Sequence, residues 1–318
     1  MVTMDDVAAA AERIRDMVRE TPVKSSASLS RLAGGPVWLK CEHRQETGAF
    51  KLRGASNAVA RLGDVAGVTT ASTGNHGRAL AHAARQLKLP AVICVSRLVP
   101  RNKLVAIEEL GAEARVIGAS QDEAFEEAYR LKHDEGFALI PPFDHPDVIA
   151  GQGTLGMEIL RQIPDAATLA VPLSGGGLLA GVALAAKSLK PGIRIVGISM
   201  EKGAAMAASL AAGHPVEVEE VETLADSLGG GIGLQNRLTF PMVRDLMDEL
   251  ILLTEDEIAA GIRHLAIEDG ETVEGAAAVG AGAVLAGKLN AGDGPLVLIL
   301  SGGNIDPARH AEIVKGVS

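Results

Sequence analysis

Short apolar runs alternate with helix-length segments from Gly67 almost to the end of the chain. The first runs are GVTTAS, AVICV, ARVIG and FALI, and the later ones are TLAVPL, IRIVGIS, ELILL and PLVLIL. Strands that are separated by helices of about ten to fifteen residues form parallel βαβ units. The alternation therefore predicts an α/β protein in which mostly parallel sheets are flanked by helices.

Two lobes are predicted from this alternation. The chain has 318 residues, which is enough for two domains of ordinary size. The proline-rich segment PPFDHP at 141–146 is the best candidate for the boundary between them. We therefore predict a small lobe of residues 67–145 and a large lobe that combines residues 1–66 and 146–318. Ligands of such sheets bind at the carboxyl ends of the strands, so we expect a site between the lobes.

Charge and composition narrow the classes of partner and the compartment. The net charge is -10 and no long basic run occurs, which argues against nucleic acid or an anionic membrane as a partner. No apolar run reaches the roughly 18 residues that a membrane span needs, and the amphipathic N-terminus lacks the apolar core of a signal peptide. We therefore expect a cytoplasmic protein. Cys41 and Cys94 lie in the strand-like runs VWLKC and AVICV, where each is predicted to be a buried free thiol.

One lysine lies in a segment that is rich in small and apolar residues. Lys51 follows Phe50 and precedes Leu52 in TGAFKLRGASN, residues 47–57. Burial disfavours the ammonium form and lowers the pKa of a lysine, which is how its amine becomes a nucleophile. The alternative is an ordinary surface lysine whose stem packs on the fold, because lysine is seldom fully buried. The segment alone leaves both possibilities open.

Three polar or glycine-rich loops each follow an apolar strand. They are STGNHG at 72–77, SGGG at 174–177 and SGGN at 301–304. Loops at the carboxyl ends of parallel strands gather at one site. Because SGGG precedes a helix, its backbone N–H groups and the helix dipole favour an anion such as phosphate, although a tight turn without a ligand would also suit it. STGNHG suits a carboxylate and a ring hydroxyl, with helix capping by Thr73 or Asn75 as its alternative.

Two other classes of protein compete with this interpretation. Gly175, Gly177 and Gly181 imitate the glycine spacing of a dinucleotide-binding fingerprint, and Glu201 lies at the end of the next strand. They would indicate a nicotinamide-dependent oxidoreductase, but that class leaves Lys51, STGNHG and SGGN without a role. The other class is a small-molecule-binding protein that keeps the fold without catalysis. The intact lysine and the three loops argue against it.

A lysine of lowered pKa, a phosphate loop, a carboxylate loop and a terminal hydroxyl together describe pyridoxal phosphate in Schiff base with Lys51. The chain resembles the serine/threonine dehydratase and serine racemase family of the tryptophan-synthase-β-like fold, which is fold type II. The matching segments occur in order and span nearly the whole chain: TGAFKLRGA, STGNHG, VIAGQGTLGMEI (148–159), SGGGLLAG (174–181) and SGGN. The resemblance implies a two-lobed α/β fold in which the large lobe binds the cofactor and the small lobe lies on the substrate side.

The resemblance also implies cofactor contacts, residue by residue. Lys51 would hold pyridoxal phosphate and move protons on one face of it, with Phe50 beside the ring. Asn75 would bond the ring hydroxyl, Ser301 would bond the pyridine nitrogen, and Glu274 would place a carboxylate near the ring. The phosphate would be bound by backbone N–H groups of Gly175, Gly176, Gly177 and Leu178.

Substrate contacts are implied in the same way. The expected residues are Ser72, Thr73, Gly74, Asn75, His76 and Ser227. Thr73 stands where racemases of this family have a serine as the second acid/base, which makes Thr73 the second candidate catalytic residue and puts racemisation in doubt. His76 is expected to be a structural residue in the first turn of its helix rather than a base.

The implied reaction is the loss of water from a β-hydroxy amino acid, followed by release of a keto product and ammonia. A neutral hydroxyl at Ser301 cannot enforce a protonated pyridinium as an aspartate would. The ring is then a weaker electron sink, which favours β-elimination over transamination.

Departures from the family pattern bear on the substrate and on metal binding. The usual LADG is LADS here, ending at Ser227, and GGGIG follows it. With STGNHGRAL, SMEKGAAM and VEGAAAVG, this resembles the hydroxyectoine-utilisation dehydratases. Because the cofactor reacts with a primary amine, a ring-opened hydroxylated diamino acid is expected as substrate, with threonine, serine and hydroxyaspartate dehydration, or serine racemisation, as alternatives.

SMEKGAAMAAS offers only Glu201 where the family has an acidic divalent-cation site, so no metal is expected. A homodimer is implied by the resemblance alone.

Overall fold

The computed structural model describes residues 1–72, 74–99 and 101–316. The strands are β1 (Val23–Ser25), β2 (Val37–Lys40), β3 (Gly67–Ala71), β4 (Ala91–Val95), β5 (Glu113–Val116), β6 (Phe137–Leu139), β7 (Thr168–Pro172), β8 (Arg194–Met200), β9 (Glu249–Leu253) and β10 (Leu296–Ile299). The helices are α1 (Met4–Ile14), α2 (Ala27–Ala33), α3 (Lys51–Ala60), α4 (Asn75–Gln86), α5 (Arg101–Glu109), α6 (Gln121–Asp134), α7 (Pro146–Gln162), α8 (Gly177–Leu189), α9 (Ala205–Ala212), α10 (Thr239–Leu246), α11 (Glu255–Glu268), α12 (Gly275–Leu285) and α13 (Pro307–Lys315).

These strands form two sheets. One has six strands in the order β1-β2-β10-β7-β8-β9, and the other has four in the order β5-β4-β3-β6. Every pairing is parallel except that of β1 with β2, which is antiparallel. Parallel neighbours need crossover connections, and helices supply most of them. The predicted class, an α/β fold with mostly parallel sheets flanked by helices, is confirmed.

The two sheets take their strands from different parts of the chain. The four-stranded sheet uses strands between residues 67 and 139, and the six-stranded sheet uses strands within 23–40 and 168–299. This division agrees with the lobes expected from the sequence, whose boundaries at 66/67 and 145/146 stay a prediction. The segment 141–146 between them is anchored, because the Asp144 carboxylate accepts hydrogen bonds from Leu238 N and Thr239 N, at 2.9 and 2.8 Å.

The sequence analysis missed β1 and α2. The signal for α2 was present, since the Ser26 hydroxyl caps its first turn by accepting from Leu29 N, and Gly34 ends it at a φ of 72°. The strand β1 pairs Val23 with Lys40 of β2 at the edge of the large sheet. Three residues are too few for an alternating pattern to be recognised, so this edge strand depends on its partner.

Close helix packing brings two of the predicted site segments together. A Cβ added at Gly151 of α7 would lie 2.6 Å from Arg53 O of α3. A Cβ at Gly181 of α8 would lie 2.4 Å from Ile149 O of α7. Only glycine allows such approaches of backbone to backbone, so α7 holds α3 and α8 on either side of it. Lys51 begins α3, and the glycine loop 174–177 leads into α8.

The cysteine prediction is confirmed, since Cys41 and Cys94 are both free and buried. Burial is also the largest cause that raises the pKa of each thiol, to about 12 for Cys41. None of the helices in the described ranges combines the length and the hydropathy that a bilayer crossing needs.

Candidate active site

The three loops predicted from the sequence meet at one cavity of about 610 Å³. The loop after β3 contributes Ser72, the loop after β7 contributes residues 174–177, and the loop after β10 contributes Ser301. Lys51, at the start of α3, lines the same cavity. The strand-end loops therefore lie around one cavity with this lysine, as the sequence predicted.

Lys51 lies in surroundings that favour the neutral amine. Desolvation lowers its pKa from 10.5 to about 8, and the nearby Glu274 carboxylate opposes the fall. The Lys51 Nζ donates to Pro142 O at 2.7 Å and lies 5.3 Å from the centroid of the Phe50 ring. The loop after β10 supports this position, since Phe50 N donates to Ser301 O at 3.0 Å. Part of the amine is therefore unprotonated at a pH close to neutral.

The glycine loop presents backbone rather than side chains to the cavity. Gly176 has a φ of +87°, which only glycine adopts readily, and a Cβ at Gly175 would lie 2.3 Å from the Phe143 ring. The helix α8 begins at Gly177, and no described side chain caps its first N–H groups. An uncapped helix N-terminus behind a glycine loop has the geometry and the partial positive charge of a phosphate site.

Asn75 and Glu274 are joined in one buried network. Asn75 Nδ2 donates to Glu274 Oε1 at 2.8 Å, and Asn304 Nδ2 donates to Asn75 Oδ1 at 2.6 Å. Gly302 makes room for the carboxylate, because a Cβ there would lie 2.7 Å from Glu274 Oε1. Burial raises the pKa of Glu274 to about 7, with Asp226 adding to the rise and the side chains of Ser227 and Asn75 opposing it. Asn304 belongs to SGGN, but its contact with Asn75 was not predicted.

His76 lies in the first turn of α4, as predicted. Its Nε2 is 2.9 Å from Ile140 O, and burial, together with the nearby Lys51, lowers its pKa to about 3. The imidazole therefore stays neutral at ordinary pH, which suits a structural residue better than a base. Ser72 and Gly74 line the cavity beside it, whereas Thr73 lies outside the described residues.

The outer wall of the cavity carries charges that the sequence analysis did not single out. Glu220, Glu222 and Asp226 line it on one segment, next to Ser227, and Arg309 lines it from α13. Asp226 belongs to LADS, where only Ser227 drew attention. Pro142 and Phe143 were also missed as site residues, because PPFDHP was interpreted only as a boundary. Their proline and aromatic side chains gave no hint of a contact with the glycine loop.

These residues fit pyridoxal phosphate. The uncapped start of α8 suits its phosphate, the amine of Lys51 suits its aldehyde, and Ser301, at the end of β10, offers a hydroxyl to a ring nitrogen.

The described part of the chain also brings Cys41, His43 and Glu271 close enough to share a metal ion. The carboxylate of Glu271 already bonds Arg44, His43 and Lys24, and the positive charges of Arg44 and Lys24 disfavour a metal there.

Comparisons with known proteins agree with this fit. A family profile described as "Pyridoxal-phosphate dependent enzyme" matches residues 14–302. A Sinorhizobium fredii protein with a provisional name as a threonine dehydratase is 52% identical over 319 residues, which cover 99% of this chain and 96% of that protein. The L-threo-3-hydroxyaspartate ammonia-lyase of Saccharomyces cerevisiae is 38% identical, with coverage of 99% and 97%. The structure of maize serine racemase superposes with a TM-score of 0.92 at 35% identity, covering 99% and 97% of the two chains.

The chain belongs to the family of pyridoxal-phosphate dependent enzymes, in the fold type II group that contains the threonine dehydratases and serine racemases. Within it, the chain is a threonine dehydratase-like ammonia-lyase, and pyridoxal phosphate is its cofactor. The interpretation of the glycine spacing as a nicotinamide site is wrong. In the structure a Cβ at Gly181 would meet the backbone of α7, so this glycine serves helix packing.

Proposed function

We propose that the chain removes water from a β-hydroxy amino acid and yields a keto acid and ammonia, with Lys51 as the group that moves the α-proton. Pyridoxal phosphate, when bound, supplies the electron sink for the charge that develops at the α-carbon. Lys51 carries this proposal, because desolvation brings the pKa of its amine to about 8, where it can act as a base near neutral pH.

The other side chains have supporting roles in this proposal. Ser72, Gly74 and Asn75 line the cavity next to Lys51 and would bind the substrate carboxylate. The backbone at 175–178 would bind the cofactor phosphate, and Ser301 would face the pyridine nitrogen. Thr73 stays the predicted acid/base on the opposite face, and the homodimer and the cytoplasmic location stay predictions as well.

The reaction is balanced without an external oxidant or reductant. A proton leaves the α-carbon and hydroxide leaves the β-carbon, so water is lost and an enamine forms. The enamine then takes up water and releases ammonia, which leaves the keto acid. A proton donor for the departing hydroxide is needed, and Glu274 is a candidate, because its pKa of about 7 keeps part of it protonated.

More specifically, we propose that the substrate is a ring-opened, hydroxylated diamino acid derived from hydroxyectoine. Such a substrate carries a second ammonium group beyond the β-carbon. The outer wall supports it, because Glu220, Glu222 and Asp226 place three carboxylates on one side of the cavity. Opposite charge at the mouth of a site favours both the encounter and the bound state of a cationic substrate.

Arg309 favours a second candidate substrate. It lines the cavity, and its guanidinium makes no ion pair with a described residue. A distal carboxylate, as in threo-3-hydroxyaspartate, could bind it. The yeast relative carries the name of an ammonia-lyase for that substrate. Three carboxylates against one guanidinium lead us to place the cationic substrate first.

One assay separates these proposals. Keto acid and ammonia would be measured with threonine, threo-3-hydroxyaspartate and 3-hydroxy-2,4-diaminobutyrate, whose side chains are neutral, anionic and cationic. We expect kcat/KM to be highest for the diamino acid by about tenfold, which corresponds to about 1.4 kcal/mol. Asp226→Asn should reduce this preference, and Arg309→Gln should reduce turnover of hydroxyaspartate only.

The assay distinguishes failure of the proposed reaction from failure of the proposed substrate. If no β-hydroxy amino acid yields ammonia, although borohydride fixes the cofactor on Lys51, the dehydratase proposal is wrong. If threonine or hydroxyaspartate is turned over faster than the diamino acid, only the substrate assignment is wrong.

A further inference from the structure

Arg53 lies on the opposite face of α3 from Lys51. Two positions along an α-helix correspond to a rotation of about 200°, so the side chains of Lys51 and Arg53 point away from each other. Lys51 lines the cavity, whereas Arg53 is 1% exposed. A fully buried guanidinium needs anionic partners, because burial of an unpaired charge is costly.

Two carboxylates hold the guanidinium of Arg53. Arg53 Nε and Nη2 donate to the two oxygens of Glu42, each at 2.8 Å. Arg53 Nη1 and Nη2 lie 2.9 and 3.0 Å from the two oxygens of Glu158. The planar fork of arginine allows both pairs at once, which fixes the direction as well as the distance.

Lys40 completes the cluster. It is 0% exposed, it bonds Glu158, and its Nζ also donates to Thr21 O at 2.6 Å. We call Lys40, Glu42, Arg53 and Glu158 the ion quartet. Its two cations and two carboxylates balance, so the charge can stay buried without a counter-ion from solvent.

Three members of the ion quartet lead to different parts of the active site. Arg53 belongs to α3, which begins with Lys51. Glu42 follows β2, which pairs with β10, the strand that ends next to Ser301. Glu158 belongs to α7, which packs against α8, the helix that follows the glycine loop. The ion quartet is therefore the point where the supports of the lysine, the ring-nitrogen site and the phosphate site are joined.

We infer that Arg53 is a positioning residue, which acts through Glu42 and Glu158 to fix Lys51 relative to Ser301 and the glycine loop. This inference rests on the proposed role of Lys51. Rotation of α3 would move the Lys51 amine in the cavity, and it would also pull the guanidinium away from both carboxylates. A misplacement of a catalytic group by about 1 Å can lower the rate roughly 10²-fold, so a rigid support for Lys51 would have a large effect on catalysis.

The variant Arg53→Lys tests this inference. It keeps the charge but cannot bond two carboxylates with fork geometry. We expect kcat to fall by roughly 10- to 100-fold while KM changes by less than about threefold, since a loss of positioning acts on the transition state. The visible circular dichroism of the bound cofactor should also weaken, because it reports the orientation of the lysine-bound ring. The far-ultraviolet spectrum should be unchanged.

Arg115→Lys is the matched control. Arg115 also bonds two carboxylates, those of Glu113 and Glu127, but it lies on β5 in the four-stranded sheet. Its replacement should leave kcat and the visible dichroism unchanged. Glu158→Gln is a second variant of the ion quartet, which keeps the shape of the side chain and should shift both readouts in the same direction as Arg53→Lys.

Several results would overturn the inference. Arg53→Lys could melt at a lower temperature yet keep kcat and visible dichroism well below its melting point, which would make Arg53 merely structural. An equal effect of Arg115→Lys would show that the change is not specific to α3. The dichroism does not depend on turnover, so a wild-type protein without dehydratase activity would refute the proposed function and still leave this test decisive.

Discussion

Lys40 and Lys51 are two desolvated lysines with opposite surroundings. Burial is the largest cause that lowers the pKa of each. Around Lys40, Glu158 and Glu42 oppose the fall, and its ammonium also bonds Thr21 O and Gln162 Oε1. Around Lys51, Glu274 alone opposes the fall, and among the described residues only Pro142 O accepts from its ammonium.

The difference shows what separates a structural lysine from a reactive one. Desolvation alone does not decide it, because both amines are removed from water. The partners of the ammonium decide it. An ammonium bonded to a buried carboxylate is held in its charged form and stabilises the fold, whereas an ammonium with one neutral acceptor loses its proton more readily, with a pKa of about 8 for Lys51. Four predictions test this comparison, beginning with the largest effect.

Lys51→Met should lower the dehydratase rate by roughly 10⁴-fold, because both the covalent attachment of the cofactor and the proton-moving amine are lost. The cofactor-free protein should be as stable as the wild type or slightly more stable, since a poorly compensated ammonium is removed. Keto-acid production and urea unfolding measure the two effects. A variant that still forms a borohydride-stable cofactor adduct would contradict the comparison.

Lys40→Met should have the opposite pattern, with a large loss of stability and a small loss of rate. The substitution removes one of the two cations that bond Glu158, and breaking such a buried pair costs about 3–5 kcal/mol of unfolding free energy. The rate of the folded fraction should fall by less than about tenfold, because Arg53 still bonds both carboxylates. Denaturant unfolding and activity below the transition measure this. Full stability together with loss of the cofactor would refute it.

Glu274→Gln should change the pH dependence of both stability and Lys51 reactivity. In the cofactor-free protein the pKa of Glu274 is raised from 4.5 to about 7, so the folded state keeps a proton that the unfolded chain loses in this window. Wild-type stability should therefore be highest below pH 4.5 with respect to this group and fall as the pH rises to about 7. The variant should lose this dependence.

The same substitution should lower the pKa of Lys51 further below about 8, since Glu274 is the charge that opposes its fall. The pKa of Lys51 can be measured from the rate at which an amine-reactive reagent labels it, followed by mass spectrometry as a function of pH. An unchanged labelling profile would show that Glu274 does not influence the lysine.

Ser227→Gly should have the smallest effect. The Ser227 side chain lowers the pKa of Glu274, so its removal should raise that pKa modestly. We expect kcat for threonine to change by less than about fivefold, as is typical of a single hydrogen bond at an exposed position. The pH profile of kcat would show the shift. A much larger gain with threonine would instead identify Ser227 as a determinant of substrate size.

Much of the fold and half of the site follow from local sequence. The strands of the α/β pattern are apolar and regularly spaced, so their period identifies them. The small and apolar neighbours of Lys51 left its role open, and the three strand-end loops decided it. The ion quartet was not, because Arg53 and Glu158 are separated by 105 positions and meet only through packing of α3 on α7. The acidic outer wall is hidden for a similar reason, since Glu220 and Glu222 resemble a solvated charge run in the sequence, and only the fold shows that they line the same cavity as Lys51.

The segment 141–146 has the composition of a boundary, yet it is not a free joint. Pro142 accepts from Lys51, Phe143 lies on the glycine loop, and Asp144 caps the start of α10. Sites that tolerate insertion or cleavage are exposed and have few backbone contacts, and this one has neither property at its centre. Splitting or circularly permuting the enzyme at its most linker-like segment would therefore cut a segment that contacts both the reactive amine and the glycine loop.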